Sequence, residues 1–267
     1  MLKQRVITAL IIVPLVVLLV WLAPTWLLAL VAGGMVLVGT WEWAVLSEEN
    51  TLSLKLSNTA VTAILLYLLW LSRLDIMILW IVALTALAWW LFALFWVSCW
   101  RREFHGRIKF FCGMLTLMPA WVALVSLHAS KDGVVKLLFL LALIWAADIG
   151  AYFVGKGFGK HKLAPEVSPG KTWEGVAGGT FALLLVSLLG VWVVLPAQGY
   201  ALILICLLTG WLSIVGDLSE SLFKRKAGVK DSGRLLPGHG GVLDRVDSLT
   251  AALPAFWLGL AIQEWLR

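Results

Sequence analysis

The sequence predicts an all-α, polytopic integral membrane protein with about nine transmembrane helices and a cytoplasmic N-terminus. Three observations carry that expectation. Hydrophobic residues make up 61% of the chain and charged residues 13%, whereas a soluble domain is roughly 25% charged and 45–50% apolar. The apolar residues gather into segments near 6–22, 25–46, 57–72, 76–98, 110–128, 134–154, 175–195, 199–216 and 247–265. Lys and Arg then fall almost entirely on one side of the resulting topology.

Each segment has its own justification. Residues 6–22 follow Lys3 and Arg5, as a signal peptide would, but run into Ala23-Pro24-Thr25-Trp26 and more apolar sequence without a small-x-small cleavage site. A retained first helix is expected. Most later segments reach the roughly 17–20 residues that a spanning helix needs. Segment 57–72 is short, and tilt, re-entry or a misplaced boundary would each explain it. With nine spans the N-terminus and loops 47–56, 99–109, 155–174 and 217–246 share the cytoplasmic side and hold 17 of the 21 Lys and Arg. The other side keeps Arg73, Lys131, Lys136 and Arg267. That asymmetry orients the chain. It also accounts for most of the +6 net charge, so a nucleic-acid partner is excluded.

Trp21, Trp26, Trp41, Trp43, Trp70, Trp100 and Trp265 lie near span ends and read as an interfacial belt. Trp80, Trp89, Trp90 and Trp145 read as lipid-facing. Cys99, Cys112 and Cys206 lie in or beside apolar segments with neither disulfide nor metal-ligand spacing, and read as small core residues. The expected organisation is one polytopic domain, 1–267. Residues 1–130 supply N-terminal spans, and residues 131–267 supply C-terminal spans with the polar loops.

The polar run from Asp217 to Asp247 carries acids at both ends and six Lys or Arg. Asp244 and Asp247 are three apart at the start of the last helix and share a face. Asp217 closes the preceding span, and Glu220, Ser221 and Lys224 extend one stripe if that helix continues. Oxygen ligands from two helix ends suit a hard cation such as Mg²⁺; helix capping or neutralisation of nearby cations is the alternative. Lys224, Arg225, Lys226, Lys230 and Arg234 suit phosphates, or simply follow the charge rule. Pro237-Gly238-His239-Gly240-Gly241 is a tight turn whose bare backbone could approach a phosphate, with His239 as donor.

The other polar loop holds Ser168-Pro169-Gly170-Lys171-Thr172-Trp173-Glu174-Gly175. Ser168, Lys171 and Thr172 could bind an anion at the next helix N-terminus, with Glu174 completing a cap as the alternative. The stretch Gly155 to Lys160 is glycine-rich but lacks Walker spacing. Gly175 and Gly179 read as a helix-packing face. Asp148, inside an apolar run, points to an active site, an ion relay or a structural ion pair.

These residues resemble the CDP-diacylglycerol synthase (phosphatidate cytidylyltransferase) family of bacterial type. Its signature, S-x-φ-K-R-x4-K-D-x-small-x2-φ-[PG]-x-H-G-G-φ-x-D-R-φ-D with φ apolar, runs unbroken from Ser221 through Lys224-Arg225, Lys230-Asp231 and His239-Gly240-Gly241 to Asp244-Arg245-Val246-Asp247. The loop Ser168–Gly175 is similar to the family's S-P-x-K-T-x-E-G element. The resemblance implies that CTP and phosphatidate give CDP-diacylglycerol and pyrophosphate with Mg²⁺, in a multi-pass protein of the bacterial inner membrane whose active site faces the cytoplasm. A homodimer is a further implication. It makes Asp217, Asp244 and Asp247 metal ligands and, with Lys224 and Arg225, the catalytic set. Ser168, Lys171, Thr172, Glu174, Ser221, Lys230, Asp231, His239, Gly240, Gly241, Arg245 and Asp148 become substrate-binding residues. A CTP-using lipid kinase would need similar loops. A CDP-alcohol phosphotransferase is disfavoured because D-G-x2-A-R-x8-G-x3-D-x3-D is absent. A transporter would need paired broken helices near mid-membrane.

Overall fold

The computed structural model describes residues 2–47, 51–100, 104, 106–233, 235 and 240–267. Among the described residues the chain forms α1 (Leu2–Leu22), α2 (Thr25–Leu46), α3 (Leu52–Leu71), α4 (Ile76–Phe95), α5 (Arg107–Ala129), α6 (Gly133–Phe158), α7 (Trp173–Leu189), α8 (Ala201–Lys226) and α9 (Leu243–Trp265). Eight of these helices are long and apolar enough to cross a membrane, and α1 contributes the apolar stretch Leu10–Leu22. The chain is therefore an all-α, multi-pass membrane protein. The short third segment reaches spanning length because the polar start Leu52–Ser57 joins its helix.

Helix α5 is the most enclosed of the spans, and indole hydrogen bonds tie it to α2 and α4. Trp43 Nε1 donates to Lys109 O at 2.8 Å, Trp89 Nε1 to Thr116 Oγ1 at 3.1 Å, and Trp121 Nε1 to Ala29 O at 2.9 Å. Two expectations are corrected here. Trp43 is buried in the core instead of lying in an interfacial belt, and Trp89 and Trp90 are buried instead of facing lipid. For Trp43 and Trp89 the reason is that an indole N–H needs a partner away from water, and α5 offers one inside the bundle; Trp90 is held by packing in the core beside Trp89.

Small residues set the closest approaches. A Cβ on Gly150 would lie 2.8 Å from Gly178 O, and one on Gly179 would lie 3.0 Å from Ala147 O, so α6 and α7 touch along a glycine face as expected. A Cβ on Gly216 would lie 2.6 Å from Asp247 O, which lets α8 press against α9 one residue before Asp217.

Between α6 and α7 the chain forms an antiparallel hairpin, β1 (Lys162–Ala164) with β2 (Ser168–Thr172), pairing Lys162 with Thr172 and Ala164 with Ser168. Ala164 and Val167 bury their side chains against the bundle. The hairpin caps the end of the bundle where α8 finishes and α9 begins.

Candidate active site

Helix α8 does not stop at the apolar boundary but continues to Lys226, so Asp217, Glu220, Ser221 and Lys224 fall on one face. Ser221 Oγ donates to Asp217 Oδ1 at 3.3 Å. Lys224 Nζ donates to Glu220 Oε1 at 3.1 Å and to Asp244 Oδ1 at 2.7 Å, crossing from α8 to α9. All three side chains are largely enclosed. Lys171 of β2 forms an ion pair with Asp217. Lys171 and Lys224 thus both point at carboxylates, and their charge offsets the cost of burying those acids.

Asp244 is the most heavily bonded acid of the group. Its Oδ2 accepts from Ser232 N at 2.9 Å, Ser232 Oγ at 3.0 Å and Gly241 N at 2.8 Å. Gly240 has φ +81°, and a Cβ there would lie 2.6 Å from Asp244 Oδ2. Glycine is required at that position for both backbone conformation and space. Asp247, one turn on, accepts from Ser248 N at 2.7 Å and lies within electrostatic range of Asp217, Lys224 and Lys171.

The hairpin supplies the remaining wall. Thr172 Oγ1 accepts from Gly175 N at 3.1 Å and caps α7. Glu174 accepts from the backbone amides of Lys160 and His161 and from His161 Nδ1, closing the hairpin. Arg225 Nε donates to Val167 O at 3.3 Å and docks the hairpin onto α8. Ser168 lies on β2 at the hairpin turn, opposite Ala164. The glycine-rich Gly155 to Phe158 belongs to α6 and forms no phosphate loop.

Two cavities meet at this cluster. One, of about 450 Å³, lies between α6, α7, α8 and β2 and is lined in part by Asp148, Lys156, Lys171, Thr172, Thr180 and Ser213. The other, of about 460 Å³, runs between α1, α2, α5, α6 and α9 along Val16, Leu28, Leu124 and Leu137, and ends at Asp148, Asp244 and Asp247. Asp148 borders both.

Lys230, Asp231 and Arg245 are exposed at the rim, and His239 lies outside the described residues. Among the described residues, no three His, Cys, Asp or Glu side chains converge closely enough to hold a metal. Asp217 and Asp244 turn towards lysines instead. Two residues that sequence reasoning passed over complete the cluster. Glu42 of α2 accepts from Ser232 Oγ at 3.1 Å, Val242 N at 3.0 Å and Leu243 N at 2.9 Å. Ser232 contacts both Glu42 and Asp244. A lone acid inside an apolar helix was the available signal for Glu42, the same one that marks Asp148.

Comparison with known proteins places the chain in a family. The model of the cytidylyltransferase family matches residues 3–263. The chain belongs to the cytidylyltransferase family. Within that family it is 43% identical to the phosphatidate cytidylyltransferase of Pseudomonas aeruginosa, with 99% of each chain covered. It is 36% identical to the protein of the same name from Haemophilus influenzae, covering 96% of this chain and 97% of that one. It is 45% identical to the Bacillus subtilis phosphatidate cytidylyltransferase over 51% of each chain.

Proposed function

We propose that this protein is a phosphatidate cytidylyltransferase, converting CTP and phosphatidate to CDP-diacylglycerol and pyrophosphate at the cytoplasmic face of a bacterial inner membrane. The observation that carries the reading is the meeting, at one acid–lysine cluster, of a long apolar cavity and a second cavity into which Asp148, Lys156, Lys171 and Thr172 project. CTP enters the chamber beside Lys156, Lys171 and Thr172. Phosphatidate lays its acyl chains along the chamber walled by α1, α2, α5, α6 and α9 and brings its headgroup to Asp148, Asp244 and Asp247. A lipid-phosphate oxygen forms the new bond to the α-phosphorus of CTP, the bond from that phosphorus to the bridging oxygen breaks, and pyrophosphate leaves with the electron pair. No protein nucleophile is required, because the phosphate monoester is itself one; the site positions two polyanions and balances their charge.

The donor chemistry fits Mg²⁺. Asp217, Asp247, Glu220 and Asp244 offer oxygen alone, Asp247 lies within electrostatic range of Asp217, Glu220 lies within range of Asp244 and Asp247, and the four outnumber Lys171 and Lys224. Asp217, Asp244 and Asp247 would hold the ion with Asp217 and Asp244 turned away from Lys171 and Lys224, and when bound it supplies electrostatic stabilisation of phosphoryl oxygens. Lys171 and Lys224 hold the acids in register and keep the cluster from repelling itself apart. Lys230 and Arg245 line the approach taken by the phosphates. A homodimer belongs to the same reading, and cross-linking in native membranes tests it.

The experiment uses detergent-solubilised protein, cytidine-labelled CTP, Mg²⁺ and three acceptors: phosphatidate, diacylglycerol and a polyprenol. Label should enter the organic phase with phosphatidate alone and stop when Mg²⁺ is chelated. Label transfer that is indifferent to phosphatidate would overturn the assignment.

A further inference from the structure

The catalytic turn at the start of α9 is held by an acid from the other half of the chain. The first amides of a helix have no partner within the helix and need acceptors from elsewhere. The residue preceding α9, Val242, has no side-chain cap of its own. Glu42 fills that role from α2: one carboxylate oxygen accepts from Val242 N, and the other accepts from Leu243 N and Ser232 Oγ. The side chain is nearly enclosed, with 6% of the residue exposed. A carboxylate buried that deeply is costly unless its acceptors are satisfied, and here two backbone amides, a hydroxyl shared with Asp244 and the positive end of α9 meet it.

The surroundings are built to fit. A Cβ on either Gly233 or Gly241 would collide with the Glu42 carboxylate, so both neighbours are residues without side chains. Ser232 lies between the two acids, with Oγ 3.1 Å from Glu42 Oε2 and 3.0 Å from Asp244 Oδ2. Its hydroxyl has one proton to give, and its backbone N–H also donates to Asp244. Glu42, Ser232, Gly241 and Asp244 therefore form one hydrogen-bonded unit. Any shift of Glu42 is passed to the Asp244 carboxylate through Ser232 and through the backbone of 241–243.

We infer that Glu42 is a positioning residue for the cytidylyl transfer: it caps α9 from α2 and so fixes the Asp244 carboxylate against Lys224. It acts through Asp244 and does not contact substrate. The inference rests on the assignment of Asp244 to the catalytic site.

Glu42→Gln keeps the shape but puts an amide NH₂ where an acceptor is needed. Misplacing a reacting group by about 1 Å costs on the order of 10²-fold in rate, and losing a supporting hydrogen bond about 10- to 100-fold. In purified enzyme, Glu42→Gln should lower kcat by about 10- to 100-fold while KM for CTP changes less than about threefold. Amide hydrogen exchange in the peptide spanning 240–247 should speed up, and Glu42→Asp should recover part of both losses. Thr62→Val is the control for stability alone: Thr62 is a buried hydroxyl of α3 that donates to Asn58 O, accepts from Thr40 Oγ1 of α2 and touches Met114, with no hydrogen bond to Glu42 or Asp244. It should lower the melting temperature and leave kcat intact. If Glu42→Gln does not accumulate in the membrane, Ser232→Ala decides, with a fall in kcat expected at unchanged KM for CTP. Wild-type kcat in folded Glu42→Gln, or unchanged exchange across 240–247, overturns the inference. An active Asp244→Asn would instead remove the catalytic assignment beneath it.

Discussion

Replacing Lys224 with methionine removes the cation held between Glu220 and Asp244 while keeping much of the side chain's bulk. The side chains of Lys224, Glu220 and Asp244 are 11%, 6% and 5% exposed, so solvent cannot take over the lysine's role. Removing one partner of a buried ion pair costs about 3–5 kcal/mol. Asp244 keeps Ser232 N, Ser232 Oγ and Gly241 N as donors, so the loss falls mainly on Glu220 and the lower end of that range applies. About 3 kcal/mol, at about 2–4 °C per kcal/mol for a chain of this size, lowers the melting temperature by roughly 6–12 °C. Thermal unfolding of the solubilised protein reads this directly. Adding Glu220→Gln to Lys224→Met removes the uncompensated charge and should recover part of the stability without restoring turnover. A Lys224→Met melting temperature within about 1 °C of wild type, or a double variant no more stable than the single, would refute the reasoning.

Other perturbations test neighbouring parts of the account. Gly240→Ala places a side chain at φ +81° and within 2.6 Å of Asp244 Oδ2; it should cost about 1–3 kcal/mol and more than about tenfold in kcat, read by melting and steady-state kinetics. Gly178→Ala pushes a methyl into Val154 and Gly150 O across the α6–α7 contact and should lower the melting temperature through an overpacking cost of about 1–3 kcal/mol. Arg225→Ala loses the bond to Val167 O that docks the hairpin. Amide exchange across 162–170 should rise while the helices keep their protection, with a cost of about 1 kcal/mol.

What the sequence revealed and what it hid follow from the range of the interactions involved. The helices were legible because hydropathy is a local property, and the α8 stripe of Asp217, Glu220, Ser221 and Lys224 because a helix repeats every few residues. The hairpin at 162–172 was not. Its strands are short, Pro165 follows the first, Pro169 sits inside the second, and neither alternates cleanly between apolar and polar residues. Trp43, Trp89 and Trp90 were misread because position along a span does not say whether a face meets lipid or another helix. Glu42 was hidden for a different reason: its partners Val242 and Leu243 lie about two hundred residues away in sequence. The acids were legible as a group, but the lysines that pair with Asp217 and Asp244 come from β2 and α8, and spacing within one loop cannot show that.

The central claim is that the cytidylyl group, with the α-phosphate of CTP, passes to phosphatidate. The most direct measurement gives the purified protein phosphatidate, Mg²⁺ and CTP labelled separately at the α- or the γ-phosphate, and compares wild type with Asp244→Asn. The account predicts that α-label enters the lipid extract and γ-label leaves as pyrophosphate, and that Asp244→Asn does neither while still inserting in the membrane. γ-Label in the lipid with α-label left in water would contradict it and make the protein a lipid kinase.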